Sequence, residues 1–348
     1  MPAEIAKKKC AVLGAGAWGT AMAIHMARRG FTAFLVPRDG AHGERMERMG
    51  ANDAYLPGIA FPKNLWVERS FAILSSVDLA FLACPSVGVV EFCRRVADLQ
   101  LPPDNRPTLV TLCKGLIPET LRLPLSAVEE QLPGWKVAVL SGPTHARDVA
   151  IGQPAAAVLA SSHGDGLLAA LQSAIHSSEF RLYRTDDVRG VELGGCLKNP
   201  YAIGMGMAST QGFGDNGHAA LFTRMLWEMA RIGDALGGRR ETFFGLSGLG
   251  DFLATANGRW SRNRSLGERI GLGEDPAKIL ETEKITVEGY RATAGFWNIC
   301  HSRAIPCPIL DEIYAVLYHG KSLGDSFLSL VQRDMREGEA DFARSSDK

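Results

Sequence analysis

The first half of the chain alternates between short apolar runs and stretches with helical spacing. Six apolar runs are each of the right length for one buried strand. They lie at 11–13, 31–36, 78–83, 108–112, 136–140 and 155–160. Near-continuous apolar strands that alternate with helices are typical of a mostly parallel sheet covered on both faces. The pattern therefore predicts an α/β fold for this part of the chain.

The pattern changes near residue 188. Strand-like runs disappear, and apolar residues recur with helical spacing, as in 221–236 and 309–319. We therefore expect two domains, 1–189 and 190–348. The last residues, from 337 to 348, are polar and predicted to form a loose tail.

A glycine motif follows the first predicted strand. Gly14, Gly16 and Gly19 have the spacing G-x-G-x-x-G and lead into a predicted helix over 20–29. The first glycine allows a tight turn, the second lets a pyrophosphate approach the backbone, and the third lets the helix pack closely on the sheet. The helix N-terminus then offers N–H groups to the phosphates. The context predicts a dinucleotide site.

The residues after the second strand bear on the choice of cofactor. Arg38 and Asp39 occupy the positions where an acidic residue would bind the ribose hydroxyls of NAD. Arginine can stack on adenine or pair with a 2′-phosphate, so NAD and NADP both stay open. The alternative is a solvated charge at the end of a strand.

Composition excludes several classes of partner. The 348 residues are 46% hydrophobic and 22% charged, and Lys+Arg and Asp+Glu both count 38. With no net charge, there is no field that would attract nucleic acid or an anionic membrane. Seven scattered cysteines show no metal-site or disulfide spacing, which indicates no metal and reduced thiols.

The N-terminus resembles a secretory signal, because three lysines at 7–9 precede an apolar run. The glycine motif interrupts that run, and cleavage there would destroy the site. No run is long enough to suggest a transmembrane helix. We expect the first strand of a cytoplasmic protein, without membrane insertion.

Polar residues follow three of the predicted strands. They lie at 84–86, 113–115 and 141–144. Parallel sheets bind ligands beyond the carboxyl ends of their strands. Each segment alone could be a turn, but together they predict a shared cleft.

Three later segments could carry chemistry. The segment 192–199 places Gly194 and Gly195 inside a predicted helix, at a cost of about 1 kcal/mol each, which suggests a close approach by another helix or a cofactor. Lys198 follows in apolar surroundings, where a neutral amine could act as a base, although a surface lysine is the alternative.

The other two segments supply a carboxylate and an anion-binding set. Asp251 ends a glycine-rich turn in apolar surroundings. Ser261, Arg262 and Asn263 offer a hydroxyl, a guanidinium and an amide, a combination suited to phosphate oxygens. The alternative is a helix N-cap by Ser261 with Arg262 exposed.

Seven motifs together resemble bacterial NAD(P)-dependent glycerol-3-phosphate dehydrogenase. In chain order they read GAGAWGTA, CKGL, SGPT, ELGGCLKN, GDN, SGLGD and SRN, and the resemblance covers about 9–288. It implies an α/β Rossmann-type N-terminal domain that binds the dinucleotide. It also implies an all-α C-terminal domain like that of 6-phosphogluconate dehydrogenase, which carries substrate binding and catalysis.

The resemblance further implies an activity. It is the reversible NAD(P)H-dependent reduction of dihydroxyacetone phosphate to sn-glycerol 3-phosphate, which feeds glycerophospholipid synthesis. The expected partner is a small phosphorylated substrate, and the expected assembly is a homodimer. A cleft closed between the domains would keep water from the developing alkoxide.

The resemblance assigns three catalytic residues. Lys198 would exchange the proton at the C2 oxygen, Lys114 would orient the reacting carbonyl, and Asp251 would hydrogen-bond Lys198 or a substrate hydroxyl. The implied cofactor-binding residues are Gly14, Gly16, Ala17, Trp18, Gly19, Arg38, Lys114, Ala146, Arg262 and Glu288. The implied substrate-binding residues are Lys114, Gly142, Thr144, Lys198, Asp251, Ser261, Arg262 and Asn263.

Two departures from the family pattern stand out. Ala17 replaces a serine often found there, and Pro200 follows the LKN motif where a helix normally continues. Two other functions stay open. A dehydrogenase for another hydroxy acid or phosphorylated polyol would not need Ser261, Arg262 and Asn263. A non-catalytic NAD(P)H-binding regulator would not need Lys198.

Overall fold

The computed structural model describes residues 8–118, 120–283 and 287–332. The chain divides into two compact units, Met1–Glu192 and Leu193–Lys348. The predicted boundary near residue 189 and the division after Glu192 both lie in the helix that begins at Val188. Lys7 and the expected tail 337–348 lie outside the described residues.

The first unit is built on one sheet. Its described strands are β1 (Lys9–Leu13), β2 (Thr32–Val36), β3 (Leu65–Val67), β4 (Leu79–Leu82), β5 (Thr108–Thr111), β6 (Val137–Ser141), β7 (Ala155–Ala160) and β8 (Phe180–Thr185). The order across the sheet is β3-β2-β1-β4-β5-β6-β7-β8. Every neighbouring pair is parallel except β6 and β7. The mostly parallel sheet predicted from the apolar runs is confirmed.

Helices accompany the strands along the chain. They are α1 (Ala17–Arg28), α2 (Gly40–Met49), α3 (Val89–Ala97), α4 (Pro124–Gln131), α5 (Ala146–Ile151) and α6 (Asp165–Ile175). Cys10 and Val12 of β1 pack in one apolar core with residues of α1 and α6, whereas Ala11 and Leu13 pack in another with residues of α3 and α4. Both faces of β1 are therefore buried, which explains its continuous apolar sequence.

Two strands have no counterpart in the predicted set. β8 alternates between buried and exposed residues near its start and contains two arginines, so it lacks a continuous apolar run. β3 has only three residues. Both pair with one neighbour at an edge of the sheet, where fewer positions need to be apolar.

From residue 188 onward the described elements are helical. They are α7 (Val188–Ala208), α8 (Asp215–Ala235), α9 (Arg240–Phe243), α10 (Asp251–Asn257), α11 (Arg262–Gly271), α12 (Pro276–Glu283), α13 (Glu288–Ser302), α14 (Pro308–His319) and α15 (Leu323–Val331). A π-helical turn over Leu246–Gly250 precedes α10. The helix α7 contains Pro200 and continues to Ala208, so the proline does not end it.

Close backbone contact fixes α11 against α7. A Cβ at Gly206 would lie 2.2 Å from the carbonyl oxygen of Arg264, and one at Gly267 would lie 2.1 Å from that of Ile203. Only glycine permits this approach, because any side chain would overlap the facing backbone. The contact fixes the N-terminal end of α11 relative to the helix that carries Lys198. Among the described residues, no helix combines the length and the hydropathy needed to cross a membrane.

Candidate active site

The glycine motif forms the turn between β1 and α1. Gly14 has a φ of +116°, and a Cβ there would lie 2.4 Å from the carbonyl oxygen of Ala83. A Cβ at Gly19 would lie 2.0 Å from the carbonyl oxygen of Gly14, so the helix packs directly on the turn. A Cβ at Gly16 would meet nothing within 4 Å. The middle glycine thus leaves open space beside the backbone, as a bound pyrophosphate requires.

The start of α1 suits an anion. Gly16 is its N-cap and supplies no side-chain hydrogen bond to the first turn. Asn52 Nδ2 donates to the carbonyl oxygen of Ala15 at 2.9 Å and to Thr20 Oγ1 at 2.7 Å, which fixes the loop from the side. The first-turn N–H groups and the helix dipole favour a phosphate at this point. These residues fit the dinucleotide that the sequence predicts.

The remaining cofactor candidates lie in both units. Ala17 and Trp18 form the first turn of α1, and the buried Trp18 Nε1 has no acceptor among the described residues. Arg38 is exposed after β2, while the neighbouring Asp39 accepts a hydrogen bond from Ala41 N at 2.9 Å and caps α2. Ala146 is the first residue of α5. The other two candidates, in the second unit, are Arg262 and Glu288, the first residues of α11 and α13.

The loops after β4, β5 and β6 contact one another. Lys114 Nζ donates to the carbonyl oxygen of Gly142 at 2.9 Å and to Thr144 Oγ1 at 3.4 Å. Cys113 Sγ donates to the carbonyl oxygen of Cys84 at 3.0 Å. The sheet therefore brings Lys114, Gly142 and Thr144 together at the carboxyl edge of the first unit.

The Cys84 thiol at this edge is unsuited to nucleophilic chemistry. A hydrogen bond with Cys113 and burial raise the pKa of Cys84 well above its usual range. Because the thiolate is the reactive form, Cys84 acts as a small packing group.

In the second unit, Lys198 is held by two groups of α10. Its Nζ lies 2.5 Å from Asp251 Oδ1 and donates to Thr255 Oγ1 at 2.7 Å. Lys198 is 7% exposed and Asp251 3% exposed. The Thr255 hydroxyl in turn donates to the carbonyl oxygen of Asp251 at 2.7 Å. A buried ammonium, a carboxylate and a hydroxyl in contact can hold and transfer a proton at an adjacent oxygen atom.

Glycine in α7 allows this contact. A Cβ at Gly194 would lie 2.7 Å from the carbonyl oxygen of Ser247, in the π-helical turn that leads to Asp251. The predicted close approach at this glycine is therefore made by the backbone of that turn. It places Asp251, at the start of α10, beside the lysine four residues further along α7.

The start of α11 carries the predicted phosphate-binding residues. Ser261 Oγ accepts from Arg264 N at 3.2 Å and caps the helix, and Arg262 is exposed, as the N-cap alternative expected. A cavity lies against this segment, and its lining includes Arg259, Arg262 and Arg269. The cap does not exclude anion binding, because the Ser261 hydroxyl hydrogen can still be donated.

Asn263 is engaged within the protein. Its Nδ2 donates to Asn199 Oδ1 at 2.9 Å, and its Oδ1 accepts from Gly289 N at 3.0 Å. It is buried, and it links α11 to α7 and α13. This amide therefore positions the start of α11 relative to Lys198, whatever contact it makes with a ligand.

Three residues of these sites were not among the sequence candidates. Thr255 lies four residues after Asp251, on the same helical face, so helical spacing could have indicated it. Asn199 directly follows Lys198 in the LKN motif. Asn52 lies 37 residues from the carbonyl of Ala15 that it contacts, and no local pattern marks it.

Comparison with known proteins gives matches to one protein family over nearly the whole chain. The profile described as NAD-dependent glycerol-3-phosphate dehydrogenase N-terminus matches residues 9–166, and the corresponding C-terminus profile matches 187–327. Glycerol-3-phosphate dehydrogenase [NAD(P)+] of Vibrio parahaemolyticus is 41% identical over 332 residues, covering 93% of this chain and 94% of that protein.

The chain is also similar to a relative from another species and to a solved structure. Glycerol-3-phosphate dehydrogenase [NAD(P)+] of Cupriavidus pinatubonensis is 39% identical, covering 95% of this chain and 98% of that protein. The crystal structure of glycerol-3-phosphate dehydrogenase from Coxiella burnetii gives a TM-score of 0.87 at 33% identity, covering 93% of this chain and 99% of that one.

Proposed function

The chain belongs to the NAD-dependent glycerol-3-phosphate dehydrogenase family, and we propose that it interconverts dihydroxyacetone phosphate and sn-glycerol 3-phosphate. It is an oxidoreductase that uses NAD or NADP. The observation that carries the proposed chemistry is the buried contact of 2.5 Å between Lys198 and Asp251.

Lys198 is the proposed proton donor and acceptor. A nicotinamide cofactor, when bound, supplies a hydride to C2 of the ketone in reduction and receives it in oxidation. Reduction builds negative charge on the C2 oxygen, and the ammonium of Lys198 stabilises that charge and donates the proton. In oxidation, the neutral amine of Lys198 accepts the hydroxyl proton.

Asp251 and Thr255 hold the amine in place. The carboxylate of Asp251 stabilises the ammonium by a charge-assisted hydrogen bond at 2.5 Å. The Thr255 hydroxyl donates to the backbone of Asp251, so its oxygen lone pair is directed to Lys198. Two fixed acceptors restrict the amine to one position, which reduces the entropy lost on reaching the reactive geometry.

The start of α11 is the proposed phosphate site. Ser261 and Arg262 lie at the N-terminus of a ten-residue helix, where the dipole and first-turn N–H groups favour an anion. The exposed guanidinium of Arg262 can pair with two phosphate oxygens at once. Binding the phosphate contributes energy remote from C2, which positions the reacting carbon. Asn263 supports this end of the helix.

Lys114 has the second proposed polar role. Its ammonium is oriented by Gly142 and Thr144 at the carboxyl edge of the sheet, and we assign it to orienting the reacting carbonyl. Arg38 is proposed to contact the adenosine end of the cofactor, because it is exposed at the end of β2 while Asp39 is engaged in capping α2.

The direct test is the consumption of NADH and of NADPH after dihydroxyacetone phosphate is added to the purified protein. Oxidation of either cofactor supports the activity. The ratio of the NADH and NADPH rates reports whether the site around Arg38 favours a cofactor with a 2′-phosphate. Turnover of another polyol phosphate, but not of dihydroxyacetone phosphate, would contradict the proposed substrate.

The proton-transfer role is tested by Lys198→Met. We expect kcat to fall by about 10³-fold or more, because the proton donor is lost. NADH binding, followed by its fluorescence, should be unchanged.

Two further variants serve as controls. Exposed Lys136→Met should keep full activity. The double variant Lys198→Met with Asp251→Asn also removes the buried carboxylate that has lost its lysine, which keeps the test valid if the single variant is unstable. Normal turnover by a folded Lys198→Met variant would remove the lysine from proton transfer.

Assembly and location complete the proposal. We propose a homodimer, which light scattering would show as about twice the 37.5 kDa of one chain. A monomeric mass at all concentrations would refute it.

We also propose a cytoplasmic enzyme whose product feeds glycerophospholipid synthesis, and labelled glycerol 3-phosphate recovered in lipid would test that role.

A further inference from the structure

We propose that His301, Cys307 and Asp311 form a zinc-binding site that joins the end of α13 to the start of α14. One donor atom from each residue lies within 4.8 Å of the others. The sequence pattern H-x₅-C-x₃-D differs from common zinc motifs, so the spacing alone did not indicate a metal. The site is separate from Lys198 and from the start of α11, and it does not depend on the proposed activity.

The distances match the dimensions of a metal site. His301 Nε2 and Cys307 Sγ each lie 3.5 Å from Asp311 Oδ1. In a tetrahedral zinc site with ordinary bond lengths, neighbouring ligand atoms are about 3.4–3.6 Å apart. Two of the three separations therefore match a zinc site, and the third, between the donor atoms of His301 and Cys307, is within 4.8 Å.

The histidine is oriented as a metal ligand would be. His301 Nδ1 lies 3.0 Å from the carbonyl oxygen of Trp297, and as an N–H it donates there. That tautomer leaves the Nε2 lone pair directed to Asp311. The His301 ring also packs on the Trp297 ring, with centroids 4.1 Å apart, which limits rotation. A ring nitrogen that donates to a carbonyl while the other binds metal is the usual arrangement for histidine ligands.

The other two donors lie on a fixed backbone. Cys307 is the N-cap of α14 and Asp311 is in its first turn, with Asp311 N bonded to the carbonyl oxygen of Cys307 at 2.8 Å. The buried Glu228 accepts from Ile309 N at 3.0 Å and from Leu310 N at 2.8 Å. This carboxylate fixes the first turn of α14, so the two donors are positioned before a metal arrives.

The donor set selects the metal. One imidazole, one thiolate and one carboxylate favour zinc over magnesium or calcium, which prefer oxygen ligands only. Binding would convert the Cys307 thiol to a zinc-bound thiolate and release its proton to solvent. His301 and Asp311 are partly exposed, which leaves a route for the ion and a fourth position for water.

The test is zinc titration of the full-length protein after treatment with a chelator, followed by calorimetry. We expect one zinc per chain and a rise in Tm, because zinc binds the folded state. Cobalt should give a thiolate charge-transfer band. His301→Gln and Asp311→Asn change only partly exposed side chains, so both should fold and keep full dehydrogenase activity. Each should weaken zinc binding by about 100-fold or more.

His319→Gln is the matched control, because His319 is an exposed histidine at the other end of α14. It should bind zinc like the unmodified protein. Cys307→Ser should remove the cobalt charge-transfer band. Equal zinc affinity in the unmodified protein and His301→Gln, or no stoichiometric binding in the unmodified protein, would overturn the proposal. In that case the three side chains are in contact without binding a metal.

Discussion

The Thr255 hydroxyl connects Lys198 to the backbone of the helix that carries Asp251. It accepts from the lysine at 2.7 Å and donates to the carbonyl oxygen of Asp251 at 2.7 Å. The Thr255 side chain thus holds the amine together with Asp251 and is itself oriented by the backbone of α10. Its effect on the proposed reaction can be separated from that of the ion pair.

We predict that Thr255→Val lowers kcat by about 10-fold to 100-fold with little change in KM, because the amine loses one of the acceptors that hold it on α10. Thr255→Ser keeps the hydroxyl and should recover most of the activity. Steady-state kinetics of the two variants make the comparison. Equal kcat for valine and serine would show that the hydroxyl does not position Lys198.

Arg262 provides the corresponding test of the phosphate site. Arg262→Ala should raise KM for dihydroxyacetone phosphate by about 10-fold to 100-fold, because a charge-assisted hydrogen bond is lost. Exposed Arg291→Ala, on α13, is the control and should leave KM unchanged. An unchanged KM in Arg262→Ala would place the phosphate elsewhere.

At the scale of elements, close backbone contacts determine where α7 meets its neighbours. The carbonyl oxygen of Ser247 occupies the space that a Cβ at Gly194 would need, and α11 crosses α7 at Gly206 and Gly267. These glycines cost helix stability but allow contacts that larger residues would prevent. The helix that carries Lys198 is therefore in close backbone contact on both sides of the lysine, at Gly194 and at Gly206.

Gly194→Ala should lower the free energy of unfolding by about 1–3 kcal/mol and reduce kcat, because the turn before Asp251 must move. Gly166→Ala in α6 is the matched control, since a Cβ there meets nothing within 4 Å. It should change stability by less than about 1 kcal/mol and favour the helix. Denaturant unfolding measures both. Equal effects of the two substitutions would contradict the close contact at Gly194.

For the molecule as a whole, the buried Glu192 couples stability to pH. Leu125 N donates to its Oε1 at 2.7 Å at the start of α4. Burial raises the pKa of Glu192 from 4.5 to about 8, with nearby Glu129 raising it and Arg189 and the Leu125 hydrogen bond lowering it. Between these two values the folded protein retains a proton that the unfolded chain has released.

The contribution of Glu192 to stability is therefore complete below pH 4.5 and is lost as the pH rises to about 8. The free energy of unfolding should fall by up to about 1.4 kcal/mol per pH unit across this window. Glu192→Gln imitates the protonated form and should remove that slope, while exposed Glu281→Gln should keep it. Unfolding at several pH values compares them. An unchanged slope in Glu192→Gln would show that another group is responsible.

Much of the fold followed from local patterns in the sequence. The six apolar runs correspond to β1, β2, β4, β5, β6 and β7, because a strand buried on both faces needs consecutive apolar residues. The edge strands β3 and β8 could not be predicted in this way, because β3 has only three residues and polar residues interrupt β8. The glycine motif was also recognisable, since its turn and helix start depend on residues close in sequence.

The sequence by itself determined the order of the strands along the chain, the dinucleotide turn and the family, since these depend on short-range spacing or on motifs. The tertiary structure decided which side chains meet. Lys198 and Asp251 are 53 residues apart, Asn263 contacts Asn199 across 64 residues, and Glu192 caps a helix 67 residues earlier. Periodicity reports which face of an element is buried, but a contact between elements depends on how closely their backbones pack, and only the folded chain fixes that distance.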